Sequence, residues 1–339
     1  MDKQLKLDEK KIRKGSTFGL PWIGSKRKIA KKIVEIIKQN FGTDKVVYDL
    51  FGGGGAITIE CLINDIEVVY NDKDPLLSEM INLVLSKDRE WLKSLMISRD
   101  EFYRLRNRGN KTVEEELKVL INSFGYNRRT YIYGEKIADF KHQVGLDIVN
   151  QHDVFAGYRE TELYKKLQIG KLFEKYKLDK VQGFGYVLQL DRLQQLETLA
   201  QLERLQQLER LQHIRRTDSI YFLKECLRSE MFDLSGYLPT FHEDYKEFSF
   251  VKDSILYLDP PYENSCSEQY NYKIENYQEF YDWCHKMSVN NIVLISGYEM
   301  PDDFDCVFEF RKTRPTMQSG QHKTKYEKLF MSNNTKIKF

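Results

Sequence analysis

Hydrophobic and polar positions follow two different regimes along the chain, and the change between them divides it. Apolar residues at Ile29, Ile33, Val34, Ile36 and Ile37, with lysines between them, predict an amphipathic helix. Val46–Phe51 is a short apolar run of strand type, Gly52–Gly55 a turn, and Ala56–Asn64 a second helix. Glu67–Tyr70 predicts a second strand, closed by Asn71-Asp72-Lys73-Asp74-Pro75. Strand, glycine turn, helix, strand is how an open parallel α/β sheet begins. The pattern returns near the other end, with strands at Ser254–Leu258, Asn291–Ser296 and Glu327–Ser332 and a helix at Tyr277–Met287. Between them, roughly from Trp91 to Val251, the chain is charged and partly helical. The expected organisation is one sheet domain built from residues 1–90 and 250–339, with an insertion over residues 91–249.

Two segments of the insertion stand out. Phe124–Gly134 is aromatic and basic, and the alternation around Tyr131 and Tyr133 suggests a hairpin. Leu190–His213 divides into four hexapeptides, LDRLQQ, LETLAQ, LERLQQ and LERLQH. Its residues are good helix formers. A leucine at every third position slips backwards by about 60° per step, so the apolar stripe winds round a helix instead of marking one face. The favoured reading of this repeat is a low-complexity spacer of variable length, in which gain or loss of a hexapeptide is tolerated.

Composition narrows the class. With 41% hydrophobic, 31% charged and 13% aromatic residues in 339, the chain can bury a sizeable core. No apolar run is long enough to span a bilayer and none follows the N-terminus as a secretory signal would. Five cysteines without a C-x-x-C pair disfavour a disulfide framework or a zinc cluster, and a cytoplasmic location is expected. The net charge of +2 conceals a strong asymmetry. Residues 1–38 hold 12 Lys/Arg against 4 Asp/Glu, residues 311–339 hold 8 against 1, and the remainder is left at −13. Basic ends of this kind suit a polyanion, because binding releases condensed counterions from phosphates, and suit equally a pair of solvated surfaces.

Two constellations carry chemistry. In Asp49-Leu50-Phe51-Gly52-Gly53-Gly54-Gly55 the glycines let backbone approach a ligand closely. Asp72 ends the next strand, where a carboxylate can accept hydrogen bonds from both ribose hydroxyls of a nucleoside. The second is Asp259-Pro260-Pro261-Tyr262, at the end of a strand. Two prolines remove two N–H donors and leave carbonyls, so with Asp259 the site accepts hydrogen bonds and suits an –NH₂ group. Tyr262 offers a ring to stack on a planar base.

Together these motifs resemble the amino-group DNA methyltransferases. The order of Pro21-Trp22-Ile23-Gly24-Ser25-Lys26, glycine motif, insertion and Asp259–Tyr262 is similar to the DNA adenine methyltransferase (Dam) family, over residues 18–85 and 250–332 and loosely at Ser123–Lys141. The resemblance implies an open, mostly parallel Rossmann-like methyltransferase sheet with helices on both faces, plus an inserted, mainly helical DNA-recognition domain. It implies S-adenosylmethionine as cofactor, held by Trp22, Lys26, Phe51, Gly52, Gly53, Gly54, Asp72 and Asp259, with Lys26 toward the methionine carboxylate. It implies catalysis by Asp259, Pro260, Pro261 and Tyr262, and DNA contacts from Arg128, Arg129, Tyr131 and Tyr133. Lys323 and Lys325, in a Gly/Ser-rich basic segment, are further candidates for a DNA-facing loop. The hairpin Tyr131-Ile132-Tyr133-Gly134 lacks the family's Asn-x-Pro-Phe-Gly wording, so a GATC target is not carried over.

The implied reaction is methylation of adenine N6 in double-stranded DNA by a monomer, with a cognate restriction endonuclease as a partner the class allows. It calls for no metal and no cysteine nucleophile. Cytosine N4, an RNA base or a protein glutamine amide are planar amines that Asp259–Tyr262 alone does not separate from adenine. A DNA-binding regulator without turnover would keep the fold, and the intact Asp72 and Asp259–Tyr262 speak against it. The contiguous glycines of Gly52–Gly55 disfavour a nicotinamide dehydrogenase, which needs G-x-G-x-x-G.

Overall fold

The computed structural model describes residues 4–22, 24–168, 190–204, 240–261, 272–310 and 326–335. By its internal contacts the chain forms two compact units, one of residues 1–19, 24–78 and 208–339 and the other of residues 20–23 and 79–207.

Among the described residues the first unit has seven strands: β1 (Val47–Asp49), β2 (Val68–Asn71), β3 (Thr240–Phe241), β4 (Ile255–Leu258), β5 (Ile292–Gly297), β6 (Phe304–Glu309) and β7 (Lys328–Ser332). Their order is β3-β2-β1-β4-β5-β7-β6. Neighbours from β3 to β5 pair parallel, and β7 runs antiparallel between β5 and β6. The mixed α/β sheet agrees with the expected fold class. Chain order reverses direction between β1 and β4, the switch point at which such sheets bind ligands beyond the carboxyl ends of their strands.

Strand periodicity explains the layers. Val47, Ile255, Tyr257, Ile292, Leu294, Leu329 and Met331 share one buried cluster with α1 (Ala30–Phe41) and α2 (Ala56–Ile63). Their immediate neighbours Tyr48, Leu256, Leu258, Val293, Ile295 and Phe330 share another with Phe280, Trp283, Cys284 and Met287 of a helix over Tyr277–Met287. Successive side chains of a strand point to opposite faces, so these nearly continuous apolar runs are buried twice over. The three expected helices form, over 30–41, 56–63 and 277–287, the first running past the expected Ile37 to end on Gly42 at φ 82°. Asn276 caps the third through a hydrogen bond from Glu279 N.

The boundary of the insertion needs one correction. Thr240 and Phe241 pair with Tyr70 and Asn71 of β2, so the sheet resumes before residue 250. β3 is only two residues long, too short for any periodicity to announce it.

The described part of the second unit is helical. After α3 (Pro75–Leu85), within which the division between the units falls, come α4 (Arg89–Ser94), α5 (Arg99–Asn107), α6 (Val113–Ile121), α7 (Glu135–His152), α8 (Glu162–Gln168) and α9 (Asp191–Arg204). Thr112 and Glu115 form a capping box that starts α6. Among the described residues no helix is long and apolar enough to cross a membrane.

Two expectations for this unit change. The hairpin at Tyr131 and Tyr133 is instead one isolated antiparallel bridge, between Ser123 and Tyr131. Both tyrosines are buried, with rings 6.0 Å apart at 88°, in a cluster with Phe102, Leu105 and Val119. The alternating aromatics that suggested a hairpin supply core instead. The first half of the leucine repeat is also core: α9 packs on α4 and α6, and Leu193, Leu196, Leu199, Ala200 and Leu202 are wholly buried. The remainder of the repeat, residues 205–213, lies outside the described residues.

Candidate functional site

The carboxyl edge of the parallel strands carries three aspartates of the first unit. Asp49 ends β1, Asp72 follows β2 and Asp259 follows β4. The loop between β1 and α2 is shaped by its glycines. Gly53 and Gly55 have φ of 50° and 74°, a region that side chains disfavour. A Cβ on Gly52 would lie 2.3 Å from the Tyr70 ring, so only glycine admits that ring beneath the turn. Tyr70 then donates its hydroxyl to the Gly53 carbonyl at 2.8 Å and ties β2 to the loop.

Asp72 holds the loop from the other side. Its Oδ2 accepts from Gly53 N at 2.7 Å and its Oδ1 from Asp74 N at 2.9 Å, which fixes the carboxylate and leaves each oxygen a further lone pair. Burial pushes its carboxyl up to about 6 against these two N–H donors. Beside it, His242 lies with Nδ1 3.2 Å from the Asp72 carbonyl. Phe51 is partly exposed, 6.0 Å from both Tyr245 and Phe280.

Asp49 is buried, and its Oδ2 accepts from Thr58 N at 3.1 Å and Thr58 Oγ1 at 2.7 Å. Burial raises its carboxyl to about 7; the Thr58 hydroxyl opposes the rise, and the charges of Asp259 and Asp72 add to it. A carboxyl raised in the fold binds a proton that the unfolded chain releases, so its penalty appears as pH rises from the unfolded value of 3.8 and is complete above about 7. Asp49→Asn should therefore gain stability relative to wild type across that window, by on the order of 1–3 kcal/mol at pH 8. Paired denaturant titrations at pH 5 and pH 8 measure this, and a difference independent of pH would contradict it.

Asp259 sits in an ion-paired cluster. Its Oδ1 is 2.6 Å from Lys26 Nζ, and Glu327 Oε1 is 3.6 Å from the same nitrogen. The three side chains are only 8%, 15% and 9% exposed for Lys26, Asp259 and Glu327. Burial alone would discharge the lysine, but Asp259 and then Glu327 overcome this and hold its pKa above the ordinary value. Burial pushes Asp259 up to about 6, with Lys26 opposing and Glu327 reinforcing the rise. Glu327 is anchored by Ser296 Oγ of β5, which donates to Oε1 at 2.8 Å. Pro260 is buried and Pro261 partly so; the Pro261 carbonyl accepts from the Tyr277 hydroxyl.

Of the residues singled out in the sequence, Lys26, Phe51, Gly52, Gly53, Gly54, Asp72, Asp259, Pro260 and Pro261 belong to this first unit. Lys26, expected toward a ligand carboxylate, is instead engaged by two carboxylates of its own chain. Trp22 belongs to the second unit, where the Arg128 guanidinium lies 4.5 Å from its ring. Arg128 has φ 56°, and Arg129 is exposed, its carbonyl accepting from Arg106. Tyr131 and Tyr133 do not face solvent. Tyr131 donates to the Ile97 carbonyl at 2.9 Å and accepts from the fully buried Arg192, whose backbone N–H donates to Tyr133 Oη at 3.3 Å. They are corrected from DNA-facing groups to the support of that segment. Tyr262, Lys323 and Lys325 lie outside the described residues.

The sequence reading missed Tyr70 and Glu327. Tyr70 reads as an ordinary strand aromatic. Glu327 precedes a strand, and it reaches the ligand edge only because β7 is antiparallel: Lys328 pairs with Gly297, at the carboxyl end of β5. A sequence shows that a strand is there but not its direction.

A glycine turn and an acceptor-lined strand end at the switch point of a parallel sheet lie where α/β proteins of this architecture bind ligands. Residues 22–169 match the family model described as D12 class N6 adenine-specific DNA methyltransferase. Over those residues the chain is similar to a family of adenine-specific DNA methyltransferases. The matched stretch includes Lys26, Gly52–Gly55, Asp72 and Arg128–Tyr133 and ends before Asp259. No curated protein matches the chain.

Proposed function

We propose that the chain methylates adenine N6 in double-stranded DNA with S-adenosylmethionine as donor. The observation that carries this reading is the half-buried Asp259 carboxylate at the end of β4, beside a proline carbonyl and on the same sheet edge as the Gly52–Gly55 turn and Asp72. The donor set fits the cofactor. Asp72 has lone pairs for a ribose, the glycine turn has no Cβ at its closest point, and Asp72, Asp259 and Glu327 against the one lysine Lys26 make an edge that welcomes a cation. Lys26, Phe51–Gly54 and Asp72 would hold it. When bound, the cofactor supplies a sulfonium-activated methyl group.

The chain's own residues supply positioning. An adenine within a duplex is out of reach and must be flipped out, at a cost of a few kcal/mol in unstacking. Its N6 lone pair is delocalised into the ring. Asp259 and the Pro260 carbonyl would accept hydrogen bonds from the two N6 protons and favour a pyramidal nitrogen whose lone pair is available. Aligned reactants and fixed acceptors then provide most of the rate. The methylated nitrogen is acidic and releases its proton, for which Asp259 would be the base. Arg128 and Arg129 are assigned to phosphate or base contact, as are Lys323 and Lys325 by sequence alone.

Modification-sensitive sequencing of DNA from a methylation-free host expressing the chain tests this. N6-methyladenine at one short motif is the expected result. N4-methylcytosine would change the substrate, and no mark from soluble protein would reject the reading.

A further inference from the structure

We infer that Glu327 is a positioning residue that shares Lys26 with Asp259, so that Asp259 stays able to accept from the substrate amine. This rests on the proposed adenine methyltransferase reading and goes beyond it, because it assigns a role to a residue outside the family match and outside every motif in the sequence.

A carboxylate held by a buried lysine in a one-to-one pair is neutralised, and its lone pairs are directed at the ammonium. Asp259 in that condition would be a poor acceptor for a nucleobase amine. Here two carboxylates contact one ammonium, Asp259 at 2.6 Å and Glu327 at 3.6 Å. The trio is therefore net negative, and the lysine has a second partner to retain if Asp259 turns to a ligand. Glu327 is built for the part. Ser296 Oγ fixes its Oε1 at 2.8 Å, and its main chain is locked by Phe310 N donating to the Glu327 carbonyl at 2.9 Å. The asymmetry of distance is also as required, with the fixed carboxylate at the longer separation and the one that must exchange at the shorter.

The groups acting on Asp259 can be named. Lys26 is the cation, Glu327, Asp72 and Asp49 are like charges, and the Tyr257 and Tyr298 hydroxyls lie within electrostatic reach. Removing the charge of Glu327 leaves Asp259 as the carboxylate that Lys26 contacts in this trio, which favours the ionised form of Asp259 and occupies it.

Three variants separate this role from a merely structural one: Glu327→Gln, Glu327→Asp and Ser296→Ala. In the ligand-free full chain, ¹³C-carboxyl NMR with an Asp259→Asn control should place the Asp259 titration roughly 1 pH unit lower in Glu327→Gln than in wild type. Glu327→Asp, which keeps the charge, should titrate near wild type. Single-turnover methylation by Glu327→Gln should show the same downward shift of its acid limb and a plateau about tenfold lower, the worth of one charge-assisted hydrogen bond. If Glu327→Gln does not fold, Ser296→Ala should move the titration in the same direction by less, since it removes one of two hydroxyls that engage Glu327 and leaves that of Tyr298. An unmoved Asp259 titration in whichever variants fold overturns the inference. A shifted titration in a chain whose wild type methylates no DNA would instead sink the adenine reading and leave the charge relation intact.

Discussion

Replacing Asp259 with alanine is expected to lower the rate of methyl transfer by about 10³-fold, with a much smaller effect on DNA affinity. The size follows from what Asp259 is asked to do. It is the only ionised acceptor in the strand-end motif, and the prolines beside it offer carbonyls of lower charge. The asymmetry between rate and affinity follows from timing. Positive charge grows on N6 as its bond to the methyl forms, so an acceptor there matters more in the transition state than in the bound state. The fold should survive, because Lys26 keeps Glu327 as a partner and is not left as an unpaired buried charge. Wild-type enzyme carries a companion signature. Its Asp259 carboxyl is raised from 3.8 to about 6, so the acceptor is lost on acidification some two pH units sooner than for an ordinary aspartate. Below about pH 6 the single-turnover rate should fall about tenfold per pH unit. Rapid-quench assays of both proteins from pH 5 to 8 on a methylatable duplex supply the test. An Asp259→Ala enzyme within tenfold of wild type would remove the carboxylate from the mechanism.

How much of this site a sequence reveals depends on which interactions are local. Strand β4 and the aspartate that follows it are contiguous, and so are β1 and its glycine turn; in each the residues that do chemistry lie beside the apolar run that positions them. Asp72 was legible for the same reason. Tyr70 and Glu327 were not. Tyr70 acts through a ring that fits under Gly52, a contact across 18 positions that no pattern encodes. Glu327 depends on the antiparallel sense of β7 and on a serine of β5. Strand β6 went unread because Phe304–Glu309 is an edge strand with polar residues interleaved, and it makes a bulged register with β7. The aromatic segment of the insertion misled in the opposite direction. Alternation says that Tyr131 and Tyr133 share an environment, but whether that is core or solvent is decided by α5, α6 and α9 around them.

The same lesson gives the second large effect, in the leucine repeat. Leu196→Ala is expected to destabilise the chain by about 2–5 kcal/mol, whereas Gln194→Ala, on an exposed position of the same helix, should change stability by less than about 0.5 kcal/mol. A spacer would show neither effect. The three-residue leucine period argued against an amphipathic helix, and that inference about a single face was sound: the stripe does wind. What it omitted is that a helix buried among several neighbours needs no single face. Leu193 approaches Gly145 of α7 while the helix as a whole lies against α4 and α6, so successive leucines meet different partners. The repeat then sets its own limit on length change. Deleting residues 196–201 brings the next hexapeptide into register and restores a leucine at each core position, but it puts Gln206 where Ala200 is wholly buried. An amide in that space adds volume and an unsatisfied polar group, so this deletion should be destabilised by on the order of 1–3 kcal/mol. The same deletion carrying Gln206→Ala should recover most of the loss. Denaturant midpoints of the four proteins test the ranking, and a deletion as stable as wild type without the alanine would show that α9 is not held as a packed helix.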